Sequence, residues 1–312
     1  MKVLIVCSGN SGRIAPFILE QGESLTRIGV EIAYFTIEGK GLSGYLKNRE
    51  QLLHKIASFS PQLIHAHYGL SGLLANLQRR IPVVTTYHGS DINDPKVLPF
   101  SRLSMLLSAH NIFVSEKSRK KSGRTKKQSV IPCGVDLNVF KPIDKEQARK
   151  ELCLDIRKKF ILFAGAFDNP VKNAALAKEA LKWFPEVELI ELRGYSREQV
   201  ALLMNAADVA LMTSFTEGSP QFIKEAMACN CPVVSVEVGD VKEIIADVHG
   251  CYLCSYDSND LADKLQLVFS SGNRIQGREI LVKRGFDINN VAKRIIGIYN
   301  SILKISSSTL PQ

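Results

Sequence analysis

The stretch DVALMTSFTEGSPQFIKEAMACNCPVVSV, residues 208–236, decides the fold of this chain. Two segments in it, 209–212 and 233–236, are apolar runs with the length of buried strands. Between them, Ser219 suits a helix N-cap and Pro220 suits the first helical position, where a missing N–H costs nothing. The stretch therefore predicts a strand–helix–strand unit of a parallel sheet.

Two glutamates stand at different depths in this predicted unit. Glu217 lies in the loop at the carboxyl end of the first strand, where open α/β sheets bind ligands, and Gly218 allows a close approach. Glu225 stands about 7.5 Å along the helix axis from Pro220, at ~1.5 Å per residue. We therefore expect Glu217 at the mouth of a site and Glu225 behind it. The alternative is a helix-start turn with a surface glutamate at each position.

The spacing of these groups resembles the signature of retaining GT-B glycosyltransferases, glycosyltransferase family 4 in particular. The matching segments are Glu217-Gly218-Ser219-Pro220, Glu225-Ala226-Met227-Ala228 and Pro232-Val233-Val234, with Cys231 where the family usually has glycine. The resemblance implies that Glu225 accepts hydrogen bonds from the ribose hydroxyls of a nucleotide sugar. It also implies that Glu217 meets sugar hydroxyls or the developing positive charge at the anomeric carbon.

Length and patterning indicate two α/β domains. The chain has 312 residues, and single cores seldom grow beyond roughly 250–300 residues. Strand-like and helix-like segments alternate along it, which predicts doubly wound parallel sheets. With the resemblance, the expected fold is GT-B, two Rossmann-like domains facing a cleft. We place the first domain at 1–140, the donor domain at 141–290, and a crossing helix and tail at 291–312.

Charge and hydropathy restrict the class of protein. The formal charge is +9, the pI is about 9.1 and hydrophobic residues make up 45% of the chain. Nucleic acid is a possible partner for a basic protein, but no motif with interleaved aromatics and base-reading residues is present, so we expect none. The apolar runs are too short for a bilayer span, and the N-terminal segment has too short an apolar core for a signal peptide. The sequence therefore predicts a cytoplasmic protein.

A glycine-rich turn follows the first predicted strand. It contains Gly9, Asn10, Gly12 and Arg13, and predicts a helix beginning near Ile14. Such a turn can offer backbone N–H groups to a phosphate, and the resemblance places it near the donor phosphates and the acceptor. The alternative is a tight turn that needs glycine for its own geometry.

Histidines end two predicted strands of the first domain. The resemblance implies that His88, followed by Gly89, faces the donor sugar and its phosphates, which makes it a catalytic candidate. The alternative is a hydrogen-bonded loop histidine. His65 and His67 lie on one face of a strand, but a third metal ligand is not evident. We interpret them as strand-end histidines, with His67 bordering the cleft.

The second domain has a candidate diphosphate-binding loop after the strand that ends at Gly165. In the family, this loop usually supplies an arginine and a lysine that clamp the donor diphosphate. Lys172, followed by Asn173, matches the lysine, but no arginine stands beside Gly165. Arg193 or Arg13 could replace it. The alternative for Lys172 is a solvated lysine at a helix start.

Residues 117–127 carry seven basic side chains and no acidic one. The run is either a solvated helix end and loop, or a contact for an anionic membrane or a charged acceptor.

The resemblance implies a retaining glycosyltransferase that uses a nucleotide-diphosphate sugar and acts in cell-surface polysaccharide or glycolipid synthesis. We expect no cofactor and no metal, because no Asp-x-Asp motif is present and the seven cysteines lack zinc-site spacing. Two alternatives stay open. One is a non-catalytic nucleotide-sugar-binding partner subunit, favoured by the absent arginine. The other is a sugar-nucleotide epimerase on the same fold.

Overall fold

The computed structural model describes residues 1–123 and 126–304, and the chain divides into two compact units. The first unit comprises Met1–Gly134 and the described residues from Ile288 onward, and the second is Val135–Asp287. The boundaries predicted at 140 and 290 each lie a few residues from this division. Of the predicted segment 291–312, residues 305–312 lie outside the described part of the chain.

The first unit is built on a six-stranded parallel sheet in the order β2-β1-β3-β4-β5-β6. Its strands are β1 (Lys2–Ser8), β2 (Glu31–Ile37), β3 (Leu63–His67), β4 (Val83–Tyr87), β5 (His110–Phe113) and β6 (Gln128–Val130). Its first seven helices are α1 (Pro16–Arg27), α2 (Gly41–Leu46), α3 (Arg49–Phe59), α4 (Gly69–Asn76), α5 (Ser90–Asn93), α6 (Leu98–Leu107) and α7 (Glu116–Ser122). Every residue of β3 and β4 is buried, as expected for parallel strands covered on both faces.

The second unit is built on a five-stranded parallel sheet in the order β11-β10-β9-β7-β8. Its strands are β7 (Lys159–Phe163), β8 (Val187–Glu191), β9 (Val209–Met212), β10 (Val233–Val236) and β11 (Tyr252–Cys254). Its helices are α8 (Lys145–Glu151), α9 (Ala174–Ala180), α10 (Arg197–Ala206), α11 (Gln221–Ala228), α12 (Val241–Ile245), α13 (Ser258–Ser271) and α14 (Gly277–Lys283). The predicted fold class, with two Rossmann-like parallel-sheet domains, is confirmed.

The last described helix, α15 (Ile288–Leu303), belongs to the first unit. Val291, Ile295 and Tyr299 recur on one helix face and are buried in the same core cluster as Val3 and Leu25. Helix α15 is thus amphipathic, and its apolar stripe covers the first sheet.

The strand order of each sheet reverses at one place, and open α/β sheets bind ligands at such switch points. In the second unit the reversal lies at β7, because β8 follows on one side of it and β9 on the other. In the first unit it lies at β1, between β2 and β3. The loops that leave β7, β9 and β1 are therefore the first places to look for a site.

Local boundaries differ from the prediction where prolines begin helices. Helix α11 begins at Gln221, and Pro220, not Ser219, occupies the N-cap with an extended ψ of 119°. Helix α1 likewise begins at Pro16, two residues later than predicted, because the residue before a proline is kept out of the helical region. Ala15 has the resulting extended backbone.

The segment between β2 and β3 forms two short helices, α2 from Gly41 and α3 from Arg49, rather than one continuous helix. The break falls at Asn48, whose buried amide donates to the carbonyls of Glu38 and Gly44 at 2.8 and 2.9 Å. An asparagine that satisfies backbone groups in this way competes with the helical ladder, which explains the interruption.

Candidate active site

An ion pair joins two of the predicted site residues at the switch point of the second sheet. Lys172 ends a 3-10 turn, Pro170–Lys172, after β7, and Glu217 lies in the loop after β9. Lys172 Nζ lies 2.7 Å from Glu217 Oε1, and both side chains are more than three-quarters buried. The structure therefore brings together Lys172, the residue predicted to bind the diphosphate, and Glu217, the residue predicted to bind the sugar.

Glycine at position 165 lets the lysine lie across the end of β7. Gly165 has φ +147°, and a Cβ placed there would stand 2.9 Å from Lys172 Cγ. Any other residue would have to displace the lysine stem as well as adopt a strained backbone. The hydroxyl of Thr213 lies 2.9 Å from the carbonyl oxygens of both Lys172 and Asn173, and this contact ties the turn to the end of β9. Asn173 itself is left-handed, with φ 53°.

A second ion pair lies on the other side of the switch point. Glu225 is almost fully buried on α11, and its carboxylate pairs with the guanidinium of Arg197. Arg197 is the first residue of α10, and its guanidinium carbon lies 4.6 Å from the centre of the Phe140 ring. This arginine was missed from the sequence. The available signal was the capping box formed by Ser196 and Gln199, which fixes a helix start beside residue 197.

The loop that spans Glu217 to Pro220 is fixed by close packing against the loop of Gly239 and by buried polar groups. A Cβ on Gly239 would stand 2.8 Å from the carbonyl oxygen of Gly218, so the two loops touch through backbone. The fully buried Lys224 places Nζ 3.3 Å from Ser219 Oγ. Burial raises the pKa of Asp240, in the adjoining loop, to about 6. These contacts fix the position of the loop that carries Glu217.

Arg193, the predicted replacement for the absent arginine, lies in the loop after β8. Its guanidinium pairs with the carboxylate of Asp168 and lies 4.0 Å from that of Glu191. Its side chain is half exposed. Its role toward a donor stays a prediction.

The glycine turn of the first unit is tied to a neighbouring loop. The amide of Asn10 donates to the carbonyl of Gly39 and accepts from the N–H of Gly39, both at 2.8 Å. The N–H of Gly12 donates to the carbonyl of Gly9, and Gly12 has φ +74°. Arg13 is exposed. The turn thus has the tight geometry that requires glycine, and phosphate binding by it stays a prediction.

The three strand-end histidines of the first unit form one column. The rings of His65 and His67 stack with their centroids 4.6 Å apart, and those of His67 and His88 with their centroids 5.2 Å apart. His67 Nδ1 lies 2.9 Å from His88 Nε2, and His65 bonds Tyr299 and Thr86 at 2.5 and 2.7 Å. His65 and His67 are fully buried, so His67 packs behind His88.

A buried aspartate, also missed from the sequence, holds the loop that carries His88. The carboxylate of Asp91 accepts the backbone N–H groups of Gly69, His88 and Gly89, each at 3.0 Å. These bonds join the ends of β3 and β4. The signal in the sequence was an aspartate two residues after a strand-end His-Gly, a position typical of loop-capping side chains.

The buried histidines predict acid sensitivity of the first unit. Burial lowers the pKa of His65 from 6.5 to about 3, and it also lowers that of His67. The unfolded chain therefore binds more protons than the folded unit below the ordinary histidine pKa, and stability falls as the pH drops through it. As the pH falls from about 7.5 to about 5.5, one such histidine raises the equilibrium constant for opening of the folded unit by about tenfold.

This sensitivity can be measured by hydrogen exchange of the β3 amides, corrected for intrinsic exchange rates. In His65→Gln, the acid-induced rise in opening should be about tenfold smaller than in the wild type. His54, whose side chain is 79% exposed, provides the control His54→Gln, which should behave as the wild type does. An unchanged pH dependence in His65→Gln would contradict the prediction.

The basic run 117–127 lies partly on α7, and its residues 124 and 125 fall outside the described part of the chain. Arg119 pairs with Glu116, and Lys121 Nζ donates to Asn93 Oδ1 at 3.0 Å. Within residues 1–123 and 126–304, no helix combines the length and apolar character needed to span a bilayer. Contact of this run with a membrane stays a prediction.

All seven cysteines are free thiols. Among the described residues, no three His, Cys, Asp or Glu side chains are grouped so as to hold a metal ion.

Two family models match consecutive parts of the chain. Residues 1–139 match the model described as Glycosyltransferase Family 4, and residues 149–271 match the model described as Glycosyl transferases group 1. A D-inositol 3-phosphate glycosyltransferase of Mycobacteroides abscessus is 24% identical over 303 residues, which cover 80% of this chain and 68% of the relative. Across several curated relatives, the chain spans between 55% and 79% of their length.

Solved structures share the fold. A sucrose-phosphate synthase from Thermosynechococcus elongatus superposes with a TM-score of 0.85 at 20% identity, covering 98% of this chain and 100% of the other. HepE from Anabaena, solved with UDP and glucose, superposes with a TM-score of 0.77 at 18% identity. The match covers 96% of this chain and 100% of HepE. The two matches lie one in each unit and together span most of the chain, so the chain belongs to glycosyltransferase family 4, among the group 1 glycosyl transferases.

Proposed function

We propose that the protein is a retaining, metal-independent glycosyltransferase that moves a sugar from a nucleotide-diphosphate sugar to a carbohydrate or lipid-linked acceptor. The observation that carries this proposal is the pair of ion pairs flanking the switch point, Lys172–Glu217 and Arg197–Glu225. One offers a cation and a carboxylate at the mouth of the site, and the other offers a buried carboxylate behind it. Synthesis of polysaccharide or glycolipid is the proposed context.

The chemistry of sugar transfer makes use of these groups. Negative charge grows on the leaving diphosphate in the transition state, and a fixed ammonium such as that of Lys172 stabilises it more than it stabilises the ground state. Positive charge grows at the anomeric carbon, where the Glu217 carboxylate can compensate it or accept sugar hydroxyls. The Glu225 carboxylate can accept the two ribose hydroxyls of the nucleotide.

The donor we propose to test first is UDP-glucose. A protein with the same fold, HepE, has been solved with UDP-glucose, at a TM-score of 0.76. A thermal-shift screen of uridine-, guanosine- and adenosine-diphosphate sugars identifies the nucleotide. A true ligand at a hundredfold excess over its Kd stabilises the folded protein by about 2.7 kcal/mol.

Turnover of the donor that binds best then tests the reaction. Hydrolysis or transfer of the labelled sugar, with the released sugar keeping its anomeric configuration by NMR and with full activity in EDTA, is the expected result. Donor binding without turnover would favour a non-catalytic nucleotide-sugar-binding subunit. Release of an epimerised sugar would instead indicate an epimerase.

A further inference from the structure

Two exposed aromatic rings stack on each other beside the candidate site of the second unit. Phe215 and Tyr256 are 60% and 49% exposed, and their ring centroids lie 5.6 Å apart at an interplanar angle of 23°. Val171, 41% exposed, adjoins Phe215 because its carbonyl accepts the Phe215 N–H at 2.9 Å. We call Val171, Phe215 and Tyr256 the aromatic platform.

The platform is held in place by hydrogen bonds rather than by burial. The Tyr256 hydroxyl donates to the carbonyl of Ser214 at 2.8 Å, which ties the loop after β11 to the loop after β9. Large apolar side chains are costly to leave in water, and here they are presented at a fixed position. A prearranged ring loses little conformational entropy when a ligand binds, so this construction suits recognition.

The platform is continuous with the Lys172–Glu217 ion pair. Phe215 precedes Glu217 by two residues, which limits their Cα separation to about 7 Å. Val171 is the chain neighbour of Lys172. Phe215 and Val171 thus belong to the same two loops as the ion pair, those after β9 and β7.

Chain order places the platform in the loop of Glu217 rather than on the helix that carries Glu225. Phe215 and Glu217 both lie in the loop between β9 and α11, whereas Glu225 lies on α11 itself. Tyr256 follows β11, at the edge of the sheet, but its ring reaches the end of β9, where it stacks on Phe215 and bonds Ser214. The two rings therefore adjoin the loop of Glu217, the proposed sugar ligand.

We propose that the aromatic platform binds a pyranose ring of the acceptor by stacking, which makes it an acceptor subsite on the second unit. The electron-rich face of an aromatic ring attracts the weakly positive C–H groups on the apolar face of a pyranose. The platform is small, since it consists of two rings and one valine, whereas a protein partner would cover about 800 Å² of this surface. This inference rests on the proposed function for the identity of its ligand as an acceptor.

Saturation-transfer NMR on the whole chain tests the platform without needing turnover. The probes are methyl β-D-glucopyranoside, whose axial H1, H3 and H5 share one face, and sorbitol, an acyclic polyol. We expect saturation of H1, H3 and H5 with the pyranoside and none with sorbitol. Phe215→Ala should weaken pyranoside binding by about three- to tenfold, and Phe215→Tyr, which keeps the ring, should retain it. Trp183→Ala removes an equally exposed aromatic elsewhere on the second unit and should change nothing.

The outcomes separate this inference from the proposed function. Equal signals for pyranoside and sorbitol, or a pyranoside signal that survives Phe215→Ala, would overturn the platform. If Phe215→Ala does not fold, Phe215→Leu takes its place, because leucine keeps apolar volume without a ring face. Platform binding that is intact while no nucleotide sugar binds would refute the proposed function alone. Loss of pyranoside binding in Phe215→Ala, with binding retained in Phe215→Tyr and Trp183→Ala, supports the platform whatever the donor does.

Discussion

Replacing Lys172 with methionine is expected to lower kcat for sugar transfer by about 10²–10³-fold, the scale of losing one charge-stabilising group in an active site. Methionine keeps the length of the stem that lies against Gly165 and removes only the ammonium. The ammonium is needed most when charge has moved to the leaving diphosphate, so kcat should fall together with the affinity for the donor. The measurement is steady-state transfer with the donor found by the thermal-shift screen.

The expected loss is large because no arginine stands beside Gly165 to share the diphosphate charge. Lys172→Arg should restore part of the rate, since a planar guanidinium places its donors differently from an ammonium. Lys182→Met, at a 70% exposed lysine of the same unit, is the matched control and should leave kcat unchanged. Wild-type kcat in Lys172→Met would show that the diphosphate is bound elsewhere, with Arg193 and Arg13 next to be replaced.

The ion pair with Glu217 requires one further variant. Removing Lys172 also leaves the Glu217 carboxylate without this cation, so a loss of rate could arise through the glutamate. In the double variant Lys172→Met/Glu217→Gln, an effect no larger than that of Lys172→Met alone would show that the two residues act as one unit. Losses that multiply would show that the lysine serves the diphosphate and the glutamate serves the sugar.

The sequence predicted the parts of this site that depend on local pattern. The unit from β9 through α11 to β10 could be predicted because two apolar runs, a proline and Gly218 all occur within one segment. Lys172 and Glu217 were both assigned to the donor from their motifs. Their direct contact was not predicted, because it depends on β7 and β9 being neighbours in the sheet, and strand order is a property of the whole chain.

What the sequence could not supply is the set of partners brought in by tertiary packing. Arg197 is 28 residues from Glu225, and the capping box beside it marks a helix start without showing which carboxylate the arginine pairs with. Asp91 reads as an ordinary loop aspartate until β3 and β4 are placed side by side, when it accepts N–H groups from both ends. The break at Asn48 was hidden for the same reason, because the side chain replaces backbone bonds that a helical pattern assumes.

Replacing Glu225 with alanine should weaken nucleotide binding by about 10- to 150-fold, since a hydrogen bond to a charged group contributes roughly 1.5–3 kcal/mol. The Glu225 carboxylate lies on α11, which follows the loop of Glu217, and it is paired with Arg197. Its loss therefore removes a prearranged acceptor for the ribose hydroxyls. Calorimetry with UDP and with uridine measures the effect.

The two ligands distinguish the roles of the two ion pairs. A ribose contact is common to uridine and UDP, so Glu225→Ala should weaken both by the same factor, whereas Lys172→Met should weaken UDP alone. Arg197→Met should also weaken both, because the guanidinium holds the Glu225 carboxylate in place. Glu188→Gln, at a half-exposed glutamate on β8, is the matched control. Unchanged affinity of Glu225→Ala for UDP would remove this glutamate from the nucleotide site and leave its pair with Arg197 as a structural tie between α10 and α11.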